Sequence, residues 1–468
     1  MRLRPTPNIS EFLGIDPIDN KVEFNVPASK AQEYVNNTRR SMKYKFDGVF
    51  SGEATQDEVF EHVARDAVLT ALDGVNSTVF AYGQTGSGKT FTITGGVERY
   101  ADRGLIPRAL SLLFDEFQRR SDVMYTAHIS FLEIYQEKGY DLLAANHGKV
   151  ARKDLKKVVI SEDAKGLLHL QNLSMHRVAR EEDALNLLFL GDTHRAIAAT
   201  SMNLNSSRSH CIFTINLEAR TPGNDTIRRS KIHMVDLAGS ERVHKSRTSG
   251  TTLDEAKAIN GSLHFLEMVI VALQERTKSG SDRHVPFRNS MLTSVLRDSL
   301  GGNCRTSMVA TCSAEQSNTG ESISTCRFAQ RVAQVENVAQ VNEETDPTLM
   351  LLQKVRFALL TRSELDGRRG RPPCFVFSVL KAHAQPRLIC LACTSPPPLP
   401  PSRSLSLSRS HALFLSLSSF LRAHSSSLLS RPRTLRMPRC GKSLRFSAKG
   451  VRRRRSSLAM SFVGSKVR

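Results

Sequence analysis

The stretch Ala81-Tyr-Gly-Gln-Thr-Gly-Ser-Gly-Lys-Thr90 decides the fold of this 468-residue chain. It follows the short apolar run 77–80 and precedes the run 91–94, which is compatible with a helix. Gly83, followed by four residues and then by Gly88-Lys-Thr90, fits the pattern of a phosphate-binding loop. Glycines let successive backbone N–H groups turn toward phosphate oxygens, and the helix that follows adds its positive N-terminal end. The stretch therefore predicts a nucleotide-phosphate site, with a glycine-rich turn of no such function as the alternative.

Two side chains of this loop have individual chemical roles. Lys89 is a point charge suited to the outer phosphates, and the Thr90 hydroxyl can ligate a magnesium ion. The candidate nucleotide-binding residues of the loop are Gly83, Gln84, Thr85, Gly86, Ser87, Gly88, Lys89 and Thr90.

Two further stretches resemble sensors of a bound nucleotide. Residues 203–210, Asn-Leu-Asn-Ser-Ser-Arg-Ser-His, place hydroxyls, a guanidinium and an imidazole in one short loop. Such groups suit magnesium and a positioned water, although a polar surface loop would have the same composition. Residues 236–241, Asp-Leu-Ala-Gly-Ser-Glu, follow an apolar strand. Asp236 would hold magnesium through water, and the Gly239 N–H could bond the terminal phosphate.

The pattern of elements around these stretches indicates the fold class. Thr55-Gln-Asp-Glu58 is a capping box that opens a helix through Leu72. Strands alternate with helices on both sides of the phosphate loop. This order predicts an α/β three-layer domain with a largely parallel central sheet flanked by helices.

From residue 2 to about residue 345 the chain resembles a kinesin motor domain. Residues 83–90 match the family's phosphate loop, residues 203–210 its first switch and residues 236–241 its second switch. The adenine-side motif is matched by residues 2–5, and the last core helix by residues 324–329. The microtubule-facing loop and helix are matched by residues 284–290, 292–293 and 298–303. Residues 93–96, 98–104 and 189–192 are most similar to the kinesin-nine branch, whose members are associated with cilia and flagella.

The resemblance implies a phosphate-loop ATPase that uses ATP and Mg²⁺. Lys89 would hold the β- and γ-phosphates, and Thr90 and Ser207 would ligate magnesium. Arg208 and Glu241 would form the ion pair that closes the two switches. The resemblance assigns the rest as follows: Ser206 and Glu241 position the attacking water, Gly239 bonds the γ-phosphate, Asp236 reaches magnesium through water, and Arg2, Arg4 and Pro5 lie at the adenine.

The resemblance also implies a microtubule partner. The helix expected over residues 253–276 would be the relay helix, and residues 335–344 lie where the family's neck linker docks. The acidic tubulin surface would meet Lys257, Arg283, His284 and Arg288. As isolated charges, these four are typical of any solvated surface.

The domain organisation follows from the resemblance and from charge. We expect a motor domain over residues 1–335, a neck-linker-like segment over 336–360, and a tail over 361–468. The family's first strand precedes the Arg-x-Arg-Pro motif and is predicted to be missing here. The tail carries +20 of the chain's net charge of +21 and is rich in Ser, Pro and Arg, so we expect it to be disordered.

Three functions remain open from the sequence. They are an ATP-driven microtubule motor, a non-hydrolysing microtubule-binding protein, and a polyanion binder acting through the tail. Scattered cysteines and the lack of a long apolar run favour the cytoplasm and cytoskeleton, with no membrane partner, and the branch adds the cilium or flagellum. No sustained heptad pattern follows residue 344, so the oligomeric state stays open.

Overall fold

A mixed β-sheet lies at the centre of the computed structural model, which describes residues 1–27, 40–96, 99–147, 150, 152–164, 166–200, 208–241, 251–280 and 284–346. The strands, in chain order, are β1 (Arg2–Arg4), β2 (Leu13–Asp16), β3 (Lys21–Asn25), β4 (Ser41–Lys45), β5 (Ser77–Tyr82), β6 (Met124–Tyr135), β7 (Lys138–Asp141), β8 (Lys157–Glu162), β9 (Leu168–Gln171), β10 (His176–Val178), β11 (His210–Arg220), β12 (Thr226–Asp236), β13 (Arg305–Ser313) and β14 (Glu343–Thr345). The main sheet runs β1, β13, β5, β12, β11, β6, β7, β8, β9, with β10 beside β6 and β14 beside β12. Strands β2, β3 and β4 form a separate small sheet.

The strands around the phosphate loop are parallel and the others are antiparallel. β13 and β12 both pair with β5 in parallel, and β1 pairs with β13 in parallel. β12, β11, β6, β7, β8 and β9 follow as antiparallel neighbours. Short turns impose this direction: residues 221–225 join β11 to β12, and Gln136 and Glu137 alone join β6 to β7. The three-layer α/β prediction is confirmed, but the sheet is mixed rather than largely parallel.

The edge of the sheet beside β13 is occupied by β1. In the parallel register Arg2 lies opposite Thr311. On the other side, the Leu3 N–H donates to the Phe50 carbonyl at 3.0 Å, and the Phe50 N–H donates to the Met1 carbonyl at 2.8 Å. Residues 2–4 of the Arg-x-Arg-Pro motif thus form a short edge strand themselves, and the prediction that a strand ahead of the motif is missing stays a prediction.

The helices cover both faces of the sheet. They are α1 (Gln56–Val63), α2 (Arg65–Leu72), α3 (Lys89–Ile93), α4 (Leu105–Arg119), α5 (Glu181–Thr200), α6 (Thr251–Ser279), α7 (Met291–Val295) and α8 (Thr319–Val332). The predicted capping box is confirmed: the Glu58 N–H donates to Thr55 Oγ1 at 3.2 Å, and the Thr55 N–H donates to Glu58 Oε2 at 2.9 Å. Among the described residues, no helix is long and apolar enough to cross a membrane.

Alternate residues of the central strands serve two separate cores. Val79 packs with α1, α2, α4 and α5 on one face, and its neighbour Phe80 packs with α6, α7 and α8 on the other. Met234 and Val235 of β12 divide in the same way. This is the period of two expected for a strand covered on both sides. The predicted apolar stripe of the relay helix is buried in the second core at Leu263, Leu266, Val269, Ile270 and Leu273.

Residues 333–346 follow α8 and run back along the sheet. The Asn337 side-chain amide donates to the Cys304 carbonyl at 2.8 Å. The Asn342 N–H donates to the Gly74 carbonyl at 2.9 Å, and the Arg229 N–H donates to the Asn342 carbonyl at 3.0 Å. The segment ends as β14 on β12. It is the stretch that the sequence predicts to be a docking neck linker, and that assignment stays a prediction.

Candidate nucleotide site

The phosphate loop leaves the carboxyl end of β5 and enters α3. Gly83 approaches β13 so closely that a Cβ there would lie 2.1 Å from the Thr311 carbonyl oxygen. Gly88, immediately before α3, has a φ of +100°, a conformation that residues with a side chain rarely adopt. Both positions therefore require glycine.

Two neighbouring strands bring the predicted nucleotide residues together. β5 and β12 are parallel, with Asp236 in register with Ala81. The loops after both strands consequently emerge at the same edge of the sheet, where ligands of α/β proteins bind. A cavity of about 560 Å³ opens there, lined by β1, the phosphate loop, α3 and Leu237.

Lys89 lies inside this loop with only 6% of its surface exposed. Its ammonium donates to the carbonyl oxygens of Gly83 at 2.9 Å and of Gln84 at 2.8 Å. Burial lowers the pKa of Lys89, with the carboxylates of Asp236 and Glu241 acting in the opposite direction. The cation is thus held where it would meet phosphate oxygens.

Thr90 and Asp236 form the part of the site that suits magnesium. The Thr90 hydroxyl donates to Asp236 Oδ2 at 2.7 Å, and Arg195 NH1 of α5 donates to the same oxygen at 2.9 Å. The second oxygen, Asp236 Oδ1, is buried without a hydrogen-bond partner among the described residues. Since a buried carboxylate oxygen is costly to leave unbonded, it is suited to accept from a metal-bound water. The residues present therefore fit a magnesium ion.

Glu241 lies against the phosphate loop. Its Oε2 accepts the Thr85 N–H at 2.7 Å and its Oε1 accepts the Thr85 hydroxyl at 2.6 Å. A Cβ on Gly239 would lie 2.3 Å from both Glu241 Oε2 and Thr85 Oγ1, so any larger residue there would displace these two side chains. No ion pair joins Glu241 to Arg208 within the described part of the chain, and the switch-closing pair stays a prediction.

The two arginines of β1 form hydrogen bonds to the phosphate loop and to the helices beside it. Arg4 NH1 donates to the Gly86 carbonyl at 2.8 Å. Arg2 is buried and donates through NH1 to Gln56 Oε1 at 2.7 Å and to Thr92 Oγ1 at 2.9 Å. Burial lowers the pKa of Arg2 to about 10. With Pro5, both arginines line the cavity, but their bonds here hold the loop and α3 in place.

Comparison with known proteins agrees with this geometry. The profile described as "Kinesin motor domain" matches residues 2–335. The chain belongs to the kinesin family. The phosphate loop lies within the matched range, and the assignments of the second switch and the relay helix stay predictions.

Curated kinesins of the kinesin-nine branch are similar to this kinesin over most of its length. Kinesin-like protein KLP1 of Chlamydomonas reinhardtii is 42% identical over 376 residues, which is 79% of this chain and 47% of that protein. Kinesin-like protein KIF9 of Mus musculus is 42% identical over 368 residues, covering 78% of this chain and 46% of that protein. The branch prediction is confirmed. The chain spans about half the length of these relatives.

Two solved kinesin structures share the fold. One is described as a fast kinesin, with implications for its ATPase mechanism and interactions with microtubules. It has a TM-score of 0.65 at 34% identity and covers 74% of this chain and 93% of its own. The other is a KIF14 dimer with AMP-PNP in complex with a microtubule, with a TM-score of 0.65 at 34% identity and coverage of 76% and 97%.

Several residues predicted to act in the kinesin site have no described position. Ser206, Ser207 and Arg283 fall outside the described residues, as does the side chain of Lys257. His284 and Arg288 line a second cavity that shares no lining residue with the nucleotide site.

The sequence indicates no role for Arg195 or Asp192, and it indicates no individual role for His210 within the stretch 203–210. Arg195 bonds Asp236, and burial raises the pKa of the nearby Asp192 carboxyl to about 6. In the sequence, residues 189–192 indicate only the kinesin-nine branch. His210 accepts the Ala238 N–H through Nδ1 at 3.0 Å and shares a 2.8 Å hydrogen bond with Ser262 of α6. His210, at the start of β11, thus contacts both Ala238, which follows β12, and Ser262 of α6.

Proposed function

We propose that this kinesin hydrolyses ATP and couples hydrolysis to movement along microtubules. The observation that carries the proposal is the convergence of Lys89, Thr90, Asp236 and Glu241 at one edge of the sheet. Hydrogen bonds of 2.6–2.9 Å hold Lys89 and Glu241 against the phosphate loop and Thr90 against Asp236. A lysine, a hydroxyl, an unbonded carboxylate oxygen and a second carboxylate are the groups needed for phosphoryl transfer to water.

Each group has a part in this mechanism. Lys89 would neutralise the outer phosphates, and the Gly239 N–H would bond the γ-phosphate. Thr90 and Ser207 would hold magnesium, with Asp236 bonded through water. The bound ion would supply charge neutralisation between the phosphates.

When the switches close, Glu241 would release Thr85 and bond the attacking water. Ser206 would help to position this water, and Arg208 would pair with Glu241. Catalysis would then come from positioning and electrostatic stabilisation, without a covalent intermediate.

Coupling to the microtubule would run through His210 and α6. The imidazole contacts both Ala238 of the second switch and Ser262 of α6, so movement of one shifts the other. Lys257, Arg283, His284 and Arg288 are proposed to meet the acidic microtubule surface. Docking of residues 335–344 is proposed as the output of the cycle, and the cytoskeleton, including the cilium or flagellum, as its location.

The test compares wild type, Glu241→Ala and Lys89→Ala for nucleotide affinity and microtubule-stimulated ATP turnover. Glu241→Ala should still bind ATP but lose about 10²-fold or more in turnover, as positioned catalytic groups do. Lys89→Ala should weaken nucleotide binding itself, because it removes a buried charge from the phosphates.

Full turnover in Glu241→Ala would refute the catalytic assignment. A wild-type chain that binds microtubules but hydrolyses no ATP would instead support the non-hydrolysing binder.

A further inference from the structure

A second cavity, of about 710 Å³, lies between the β8–β9 hairpin, the end of α6 and the segment that leads into α7. Its charged or titratable lining side chains are Arg276, His284, Arg288, Arg297 and Glu162. We call it the basic cleft. Among the described lining residues, Arg288 and Arg297 share the single carboxylate of Glu162, so the cleft attracts acidic groups.

Glu162, the last residue of β8, divides its carboxylate between two arginines. Its Oε2 accepts from Arg288 NH2 at 2.6 Å, and its Oε1 accepts from Arg297 NH1 at 3.2 Å. The two guanidiniums, Arg288 first, lower the pKa of Glu162. The carboxylate therefore stays ionised at neutral pH as the counter-ion of the cleft.

The two arginines are held very differently. Arg297 is 29% exposed and also donates to the Gly166 carbonyl at 2.6 Å, so the hairpin keeps it in place. Arg288 is 80% exposed, and its ion pair with Glu162 is the bond that the structure records for it. Exposed ion pairs contribute little to stability, because water screens them and both side chains lose freedom. Arg288 can therefore exchange Glu162 for another carboxylate at little cost.

We propose that the basic cleft receives an acidic side chain of the partner surface, and that Glu162 is a built-in competitor that weakens this binding. The partner is the acidic surface of the microtubule, and in that respect the inference rests on the proposed function. Charge complementarity carries the argument: Arg288 projects into solvent and is neutralised by one internal carboxylate. Glu162 thus acts through Arg288 and limits how tightly the motor holds its track.

The experiment measures microtubule co-sedimentation of the full chain at about 50 mM and 200 mM salt. The variants are Glu162→Gln, Arg288→Gln and the double substitution. Glu61→Gln is the matched control, since Glu61 forms an exposed pair with Arg65 at 3.2 Å and the net charge changes equally. The basic tail is common to all variants, so its contribution cancels in the comparison.

We expect Glu162→Gln to lower the Kd about two- to fivefold at low salt, relative to both wild type and Glu61→Gln. The gain should shrink at the higher salt, where the Debye length is shorter. The double variant should gain nothing over Arg288→Gln. Thermal melting of each variant checks the fold, and Glu162→Ala replaces Glu162→Gln if the latter does not fold.

Equal Kd values for Glu162→Gln and Glu61→Gln would overturn the proposal. A lower Kd for the double variant than for Arg288→Gln alone would also overturn it. A polyglutamate peptide serves as a second probe. If wild type fails to bind microtubules, the proposed function fails. Tighter polyglutamate binding by Glu162→Gln than by Glu61→Gln would then still support the cleft, and equal binding would refute it.

Discussion

Replacing Gly261 with alanine should stabilise this kinesin. Gly261 lies in the interior of α6, and a Cβ built there meets no heavy atom within 4 Å. Glycine in a helix interior costs about 1 kcal/mol relative to alanine, largely through the greater freedom of the unfolded chain. With no steric cost to offset this gain, the free energy of unfolding should rise by about 0.5–1 kcal/mol.

Gly191 provides the matched control, because it is also a glycine inside a helix. In α5 its Cβ would lie 2.3 Å from Phe131 Cδ1 and 2.8 Å from Cε1. Phe131 is 2% exposed and packs edge-to-face on Phe213, so the ring has no free space to move into. Overpacking costs about 1–3 kcal/mol, which exceeds the gain in helix propensity. Gly191→Ala should therefore lower stability by up to about 2 kcal/mol.

Thermal and urea unfolding of the three proteins measure both effects. Gly261→Ala should raise the Tm by about 1–3 °C, and Gly191→Ala should lower it. The reasoning is refuted if the two substitutions shift stability in the same direction, since the helix propensity term is the same and only the packing differs.

Two other predictions concern pH and the tail. His210 accepts the Ala238 N–H through Nδ1, and burial lowers its pKa to about 3, so it folds as the neutral imidazole. Its unfolded pKa is about 6.5, so its contribution to stability is complete above that pH. Below that pH the contribution falls by about 1.4 kcal/mol per pH unit, because the unfolded imidazole binds a proton that the folded one does not. Between pH 7 and pH 5, the free energy of unfolding should therefore fall more steeply for wild type than for His210→Asn. The tail over residues 361–468 carries a charge of +20, and we expect it to bind polyanions without sequence preference. Binding should weaken about 10³-fold between 50 and 200 mM salt if six or more phosphates are engaged, and a flat salt dependence in the full chain would contradict this.

Much of the nucleotide site was readable in the sequence because its residues are neighbours along the chain. The phosphate loop and the capping box at Thr55 each occupy one short segment. The parallel sheet was predicted from the alternation of strands and helices. In the structure, residues 221–225 join β11 to β12 and residues 136–137 join β6 to β7, and connections this short allow only antiparallel neighbours.

The sequence by itself determined what is local in this kinesin: the loop that would hold phosphate, the second switch, the apolar stripe of α6 and the family. Only the tertiary structure decided which distant polar groups meet. Arg195 and Asp236 are 41 positions apart, and Glu162 and Arg288 are 126 apart. Helix and strand periodicity indicates which face of an element is buried, because the burial of apolar area is non-directional and requires no specific partner. A hydrogen bond or ion pair requires two specific groups within about 3 Å, and that distance is set only when the whole sheet and its helices have packed.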